Sequence, residues 1–287
     1  MSGTIPTMEQ IDELHRKIAP SQAAYDLIHT HCVIVADIAR RLARRRNALF
    51  MRRCTLPADA PERTGHYPGL PERASAAPHV VMSESPDSCV VGRDVSAHTS
   101  ESPDSDNIGV AVAAPTDGVT GGTVPPRFID ERLVVIGGLL HDIGTYRVLK
   151  KKHNGSNGEP LEFSKKRYIL HGLLGYEYLL EEGVDESIAQ FARNHTGVGL
   201  TRESVIAQGL PLPPDDYVPL NLEQEAVMVA DKYHSKSVPP KFVSADAYTA
   251  RAARFGEDNK RRWLDLVREY GIPDVPALAE HWHMRMI

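Results

Sequence analysis

The sequence contains no apolar run approaching the roughly 20 residues that a helix needs to cross a bilayer. The segment from Met1 to Pro20 is polar and has no apolar stretch of the signal-peptide kind. The three cysteines, Cys32, Cys54 and Cys89, show no metal-type spacing, and their odd number argues against a disulfide framework. We therefore expect a cytoplasmic protein in a reducing setting, with no membrane among its partners.

A large excess of either charge is also lacking. The chain has 33 Lys and Arg residues against 38 Asp and Glu residues, a net charge of −5. Because nucleic-acid polymers are usually bound by a basic excess, we expect none as a partner, and a homo-oligomer is left open. The length of 287 residues allows one or two domains, and the hydrophobic share of 41% fits one good core with some unpacked sequence.

Aromatic residues are almost absent between positions 57 and 126, where Tyr67 is the only one. The same segment holds ten of the 21 prolines, a net charge of −7 and two copies of Ser-Glu-Ser-Pro-Asp-Ser, at 83–88 and 100–105. Such a composition buries too little apolar surface to offset the entropy of ordering. We predict that residues 57–126 are a disordered acidic insertion, tolerated at the surface, with a regulatory or phosphorylated segment as the alternative.

Alternating strand patterns and hairpin signals are lacking too, whereas helical periodicity recurs along the chain. The fold class that this predicts is all-α, a helical bundle interrupted by the insertion after its first long helix. Seven helices are predicted, at 21–46, 129–141, 168–182, 186–194, 222–236, 245–255 and 259–270.

The most informative residues are His141 and Asp142, which directly follow an apolar run from Leu133 to Leu140. A buried Asp needs a charge partner or a metal. His31, on an apolar helical stripe, His171 and His195, at helix ends, and Asp231, after another apolar run, could supply the remaining ligands. Alone, each has an ordinary structural explanation, but bundles build metal sites from facing helices.

The order of these residues resembles that of the HD-domain metal-dependent phosphohydrolase superfamily. The similarity lies in three stretches, which are His31-Cys-Val-Ile-Val-Ala-Asp, His141-Asp142-Ile143-Gly144 and Val229-Ala230-Asp231-Lys232. His171 and His195 match the intermediate histidines of the two-metal branch. The resemblance covers about residues 20–55 and 127–240, and it implies an HD domain in two pieces, 1–56 and 127–240. The remaining chain, 241–287, has a helical pattern, and we predict that it is a C-terminal helical extension that packs on the bundle.

The resemblance also implies a metal site and a reaction. His31, His141, Asp142 and Asp231 would hold one divalent ion, and His171 and His195 a second, with Asp142 bridging. Imidazole and carboxylate ligands suit Fe, Mn, Co, Ni or Zn. The expected function is hydrolysis of a small phosphorylated substrate or nucleotide by metal-activated water, with Asp142 and Lys232 as catalytic residues.

Lys150, Lys151 and His234 are the candidate substrate-binding residues, since they lie close in sequence to two of the expected ligands. The substrate is left open, because the chain lacks Gly-Tyr-Pro after the His-Asp pair and Thr145 stands where some relatives carry lysine. Two alternative functions remain, an HD-type di-iron oxygenase with the same six ligands and a non-enzymatic regulator that binds metal or nucleotide.

Overall fold

Ten α-helices dominate the computed structural model, which describes residues 3–55, 118–156 and 158–287. The helices are α1 (Met8–Ile18), α2 (Gln22–Thr55), α3 (Glu131–Leu140), α4 (His171–Glu181), α5 (Glu186–Arg193), α6 (Arg202–Ala207), α7 (Leu222–Asp231), α8 (Ala245–Ala253), α9 (Glu257–Tyr270) and α10 (Val275–His281). Two 3-10 helices, Ile143–Val148 and Tyr168–Leu170, precede α4. The predicted all-α class is confirmed.

Four two-residue strands are the extended elements of the described chain, and they form two antiparallel pairs. Strand β1 (Val119–Thr120) pairs with β4 (Ile272–Pro273), and β2 (His234–Ser235) pairs with β3 (Lys241–Phe242). The second pair corrects the prediction of a helix that continues to Lys236. Helix α7 ends at Asp231, and the chain then turns through Pro239 and Pro240 into a short hairpin.

Most of the predicted insertion, residues 57–117, lies outside the described residues. Its last part, 118–126, is within them and belongs to the packed fold. Val119 is fully buried there and pairs with Pro273. The packed chain therefore resumes before the predicted boundary at residue 127.

Helix α2 is the longest helix among the described residues, and it joins the two large apolar clusters of the core. Ala24, Ile28 and Cys32 belong to a cluster with α1, α3, α4 and α5, whereas Val35, Ile38 and Leu42 belong to one with α7, α8, α9 and α10. Helix α3 spans the same two clusters through Ile136 and Val134. A polar residue where the clusters meet, such as His31, is therefore held inside the protein.

Side-chain caps define the starts of the helices that position the site. Ser21 Oγ accepts from the backbone N–H of Ala24 at the start of α2, the contact that an N-cap serine makes. Asp130 caps α3, and Asn221 caps α7. The α1 helix, which the sequence reasoning missed, begins with a capping box between Thr7 and Gln10.

Within the described ranges, we find no helix whose length and apolar character would let it cross a membrane.

Candidate metal centre

Six predicted ligands, drawn from elements far apart in the sequence, lie together in the interior. His31 comes from the middle of α2, His141 and Asp142 from the end of α3, and Asp231 from the last turn of α7. His171 begins α4, and His195 follows α5. The four histidines and Asp142 are buried, and the Asp231 side chain is 15% exposed.

Four of these residues, His31, His141, Asp142 and Asp231, form one group whose ligand atoms all lie within 4.8 Å of one another. His31 Nε2 is 3.0 Å from Asp142 Oδ2 and 3.1 Å from Asp231 Oδ1. His141 Nε2 lies 3.7 Å and 3.5 Å from the same two oxygens. The two nitrogens and two oxygens thus surround one small volume.

A second group consists of Asp142, His171 and His195. The Nε2 atoms of both histidines are 3.5 Å from Asp142 Oδ1 and 3.0 Å from each other. Asp142 directs Oδ2 to the first group and Oδ1 to the second. This is the arrangement that a carboxylate shared by two cations requires.

Backbone carbonyls determine which nitrogen of three histidines carries the proton. His141 Nδ1 donates to Gly138 O at 2.7 Å, His171 Nδ1 to Tyr168 O at 2.6 Å, and His195 Nδ1 to Ala192 O at 2.8 Å. A carbonyl oxygen can only accept, so in each neutral ring Nε2 holds a lone pair. Such an Nδ1–H···O=C bond is the usual support of a metal-binding imidazole.

His31 is oriented by His234 and Met284. The Nδ1 atoms of His31 and His234 are 2.8 Å apart, and His234 Nε2 is 3.3 Å from the Met284 sulfur. Since a thioether only accepts, His234 Nε2–H donates to it, and His234 Nδ1 accepts from His31. His31 Nε2 is therefore left as a lone pair that faces the two carboxylates.

The hydrogen-bonding roles of the ligand atoms suit a cation. Imidazole lone pairs and carboxylate oxygens are all acceptors, and they face one another at 3.0–3.7 Å. The buried Nε2 atoms of His31 and His141 have no hydrogen-bond partner among the described residues. Acceptors crowded in this way repel one another unless a cation lies between them, so both groups are able to bind metal ions.

The pKa shifts keep this donor set ready for a cation. Burial lowers the pKa of His171 to about 3 and also lowers that of His195, so both rings stay neutral near pH 7. Burial alone would raise the pKa of Asp142, but the Lys236 ammonium beside it holds that pKa well below its usual range. Lys232 has the same effect on the pKa of Asp231. Both carboxylates are therefore ionised.

Lys236 is a buried cation at the site that the sequence reasoning missed. Lys236 directly follows strand β2, and its Nζ forms a hydrogen-bonded ion pair with Asp142 Oδ2. The Tyr168 ring lies 5.5 Å from the same Nζ. No sequence motif identifies Lys236. The only indication is its position five residues after Asp231, and this becomes informative once α7 is known to end at Asp231.

Lys232 and His234 lie at the site and contact several of the expected ligands. Lys232 Nζ donates to the His195 carbonyl at 3.0 Å and pairs with Asp231 Oδ2 at 2.7 Å. His234 contacts His31, as described above. These contacts are those of positioning residues, because each side chain orients one or two of the expected ligands.

The two groups open onto a cavity of about 520 Å³. His171, His195 and Asp231 line it on the metal-group side, together with Lys232, His234 and Lys236. Asp142 lies behind this wall, fully buried. A small molecule in the cavity would therefore reach the metal groups through Asp231 and the two histidines.

Lys150 and Lys151 are not brought to this cavity. Both are exposed and absent from its lining, and Lys150 pairs with Glu162. Lys165, from the second basic run, does line the cavity. The chain between Lys150 and Lys165 folds back on itself, with Leu149 bridged to Phe163, which separates the two basic runs.

Comparison with known proteins agrees with this geometry. The family model of the HD domain matches residues 109–236. An uncharacterised protein of Methanocaldococcus jannaschii is 41% identical over 103 residues, which are 36% of this chain and 49% of the relative. No solved structure matches the chain significantly.

Two further relatives are tRNA (cytidine(56)-2'-O)-methyltransferases. Those of Picrophilus torridus and Thermoplasma volcanium are 37% and 33% identical over 102 residues, or 36% of this chain. The chain spans about half the length of the first relative and about a quarter of these two.

The matched residues 109–236 include five of the six predicted ligands, and His31 reaches the same groups from α2, which precedes the match. The chain therefore contains an HD domain, the domain of a superfamily of metal-dependent hydrolases, and α2 completes its groups able to bind metal ions.

Proposed function

We propose that the protein is a metal-dependent phosphohydrolase that acts on a nucleotide or another small phosphoester. The observation that carries this proposal is the pair of His/Asp groups that share Asp142 beside a cavity of about 520 Å³. A cavity of this size suits a small-molecule ligand.

His31, His141, Asp142 and Asp231 would hold one divalent ion, and Asp142, His171 and His195 a second. When bound, such ions acidify water and neutralise the charge on phosphoryl oxygens. The nitrogen and oxygen donor set, with no thiolate, suits Fe, Mn, Co, Ni or Zn.

The chain's own residues bind and orient the phosphoester. Lys236 lines the cavity together with Tyr168 and adds positive charge where a phosphoryl group would lie. Lys232 keeps the His195 backbone and Asp231 in place, so we assign it a positioning role in the reaction. Thr145 Oγ1 donates to Asp142 Oδ1 at 2.7 Å and holds the shared carboxylate in the same way.

Hydrolysis forms a bond from water oxygen to phosphorus, breaks the bond to the leaving oxygen and returns a proton to that oxygen. Asp231 is the one carboxylate in the described part of the chain that lines the cavity. We therefore assign the proton transfer to Asp231 rather than to the buried Asp142.

The similarity to tRNA methyltransferases gives no reason to propose methyl transfer, because the chain spans only about a quarter of each of those proteins.

The test measures metal content together with activity on a panel of nucleotides and phosphomonoesters. We expect two ions per chain and phosphate release that His141→Ala and Asp142→Ala abolish while circular dichroism shows a retained fold. His281→Ala is the matched control, since His281 is exposed and outside both groups. Equal activity in all variants would reject the proposal.

The second ion has its own test. We expect His171→Ala and His195→Ala to lower the content from two ions to one, because both residues serve only the second group. One ion in the unmodified protein, unchanged by either substitution, would show that these histidines are structural. Oxygen consumption that depends on Fe(II), without phosphate release, would favour the oxygenase alternative instead.

A further inference from the structure

The outer wall of the cavity is built by residues beyond the matched HD domain. Tyr248, Arg251 and Ala252 of α8 line it, followed by Phe255 and by Asn259 of α9. All five lie after residue 236, where the family match ends. This wall is therefore a feature of the C-terminal extension and not of the metal groups.

Arg251 is the charged residue of this wall. Its side chain is exposed, and we find no hydrogen bond or ion pair between that side chain and any residue that the structure describes. Lys165 is a second exposed cation in the lining. The only acid in the described lining, Asp231, is already paired with Lys232. The outer part of the cavity thus carries positive charge that no lining carboxylate neutralises.

Apolar side chains share the lining of the cavity with the two cations. Phe255 is 63% exposed at the cavity, and Phe163, Leu200 and Leu210 line it as well. An exposed aromatic ring beside a cation is suited to a ligand that combines a flat apolar body with an anionic group.

We propose that Arg251, assisted by Lys165, binds a second anionic group on the part of the substrate that leaves. The inference rests on the proposed function, since it assumes that the phosphoryl group lies at the His/Asp groups. The substrate class is then a phosphoester whose leaving group carries a phosphate or carboxylate of its own on an apolar or aromatic body. An analogue whose leaving group is uncharged would give Arg251 no anionic partner, so it should be a poorer substrate.

The experiment compares two aryl phosphates of similar shape, 4-carboxyphenyl phosphate and its uncharged relative 4-carbamoylphenyl phosphate. We expect the metal-loaded protein to prefer the carboxylate by about tenfold or more in kcat/KM, the effect of one charge-assisted contact. Arg251→Gln should remove most of this preference, mainly through KM. Arg254→Gln is the matched control, because Arg254 is exposed, directly follows the same helix and does not line the cavity.

Lys165 is tested in the same way against its neighbour Lys166, which is exposed and lies outside the lining. We expect Lys165→Gln to reduce the preference for the carboxylate and Lys166→Gln to leave it unchanged. Equal preference in the unmodified protein, Arg251→Gln and Arg254→Gln would overturn the proposal.

Calorimetric binding of the two corresponding aryl phosphonates, which cannot be hydrolysed, separates this inference from the proposed function. Selective binding of the carboxylate that Arg251→Gln abolishes, without hydrolysis of any phosphoester, would support the anion site and reject the hydrolase. Hydrolysis combined with equal binding of both phosphonates would support the hydrolase and reject the anion site.

Discussion

A buried lysine balances the charge of the shared carboxylate. Lys236 and Asp142 are both almost fully buried, and their ion pair joins strand β2 to the end of α3. A pair of this kind contributes little compared with an apolar substitute, but removal of one partner leaves the other charge buried and uncompensated. Replacement of either residue alone should therefore lower the unfolding free energy.

For Lys236→Gln, we expect the metal-free protein to lose about 3 kcal/mol of unfolding free energy. With divalent metal added, the loss should be much smaller, because a cation then compensates Asp142. Urea unfolding with and without a chelator measures both values. Lys166→Gln, at an exposed position, serves as the control, and an equal loss in both conditions would contradict this account.

His15 should make stability depend on pH. It is fully buried, with Nδ1 3.0 Å from the Tyr146 hydroxyl and Nε2 2.8 Å from Leu139 O. Burial lowers its pKa from 6.5 to about 4. As the pH falls, the unfolded chain therefore binds a proton at His15 before the folded protein does. The contribution of neutral His15 to the unfolding free energy is fully present above pH 6.5 and is lost as the pH drops toward 4.

Between these pH values, we expect His15 to account for a loss of about 3 kcal/mol. His15→Gln keeps a donor for Leu139 O but cannot titrate, so its unfolding free energy should decline less over the same range. Urea unfolding at several pH values, with His283→Gln as an exposed control, measures the difference. Parallel pH curves for the unmodified protein and His15→Gln would disprove this role.

At the scale of elements, the close approach of α2 and α3 depends on Gly138. A Cβ at this position would lie 2.6 Å from Ala36 Cα and 2.9 Å from Ala36 Cβ of α2. Gly137 faces Phe191 of α5 at similarly short range. These glycines let α3 pass between two helices, which brings His141 and Asp142 close to His31.

Gly138→Ala should therefore destabilise the protein, although alanine usually favours a helix by about 1 kcal/mol over glycine. We expect a loss above about 2 kcal/mol from overpacking against α2, together with weaker metal binding. Gly209→Ala is the comparison, since a Cβ there meets nothing within 4 Å and its φ of +58° alone should cost about 1 kcal/mol. A neutral or stabilising Gly138→Ala, measured by thermal and urea unfolding, would contradict the contact.

The sequence predicted which segments are helices better than it predicted where those helices end. Apolar periodicity indicated α2, α3 and α7, but α2 runs on to Thr55 and α7 stops at Asp231. Residues 47–55 of α2 combine a continuous apolar run, Ala48 to Met51, with two arginines, and they carry no helical period of their own. The turn after α7 is stabilised by pairing of His234 with Phe242, a contact between residues that local pattern cannot connect.

At the scale of the whole molecule, metal binding should stabilise the fold, because its ligands come from α2, α3, α4, α7 and the turn after α5. A saturating ion at about 100 times its Kd adds about 3 kcal/mol to the unfolding free energy. We expect added Mn²⁺ to raise the urea midpoint of the unmodified protein and of His281→Ala, and to raise it less in His141→Ala, which keeps only the second group. An unchanged midpoint in the unmodified protein would argue against a site that spans the fold.

The six candidate ligands could be proposed from sequence because their motifs and their order resemble a known family. The outer cavity wall could not, because Arg251 and Phe255 become neighbours of the site only through packing of α8 beyond the matched residues. Lys150 and Lys151 lie near His141 in sequence, yet the turn at Leu149 and Phe163 directs that loop elsewhere. Sequence proximity was a weaker guide here than the positions of apolar stripes.

The spread of ligands from residue 31 to residue 231 also governs when an ion can be taken up. An unfolded chain offers only one adjacent pair, His141 and Asp142, and every other ligand is separated from that pair by long stretches of flexible chain whose closure is entropically unfavourable. During synthesis, the first group is incomplete until Asp231 has been made and α7 has packed against α2. We therefore expect metal uptake to follow folding in this protein, whereas small zinc-binding domains acquire their fold from the ion.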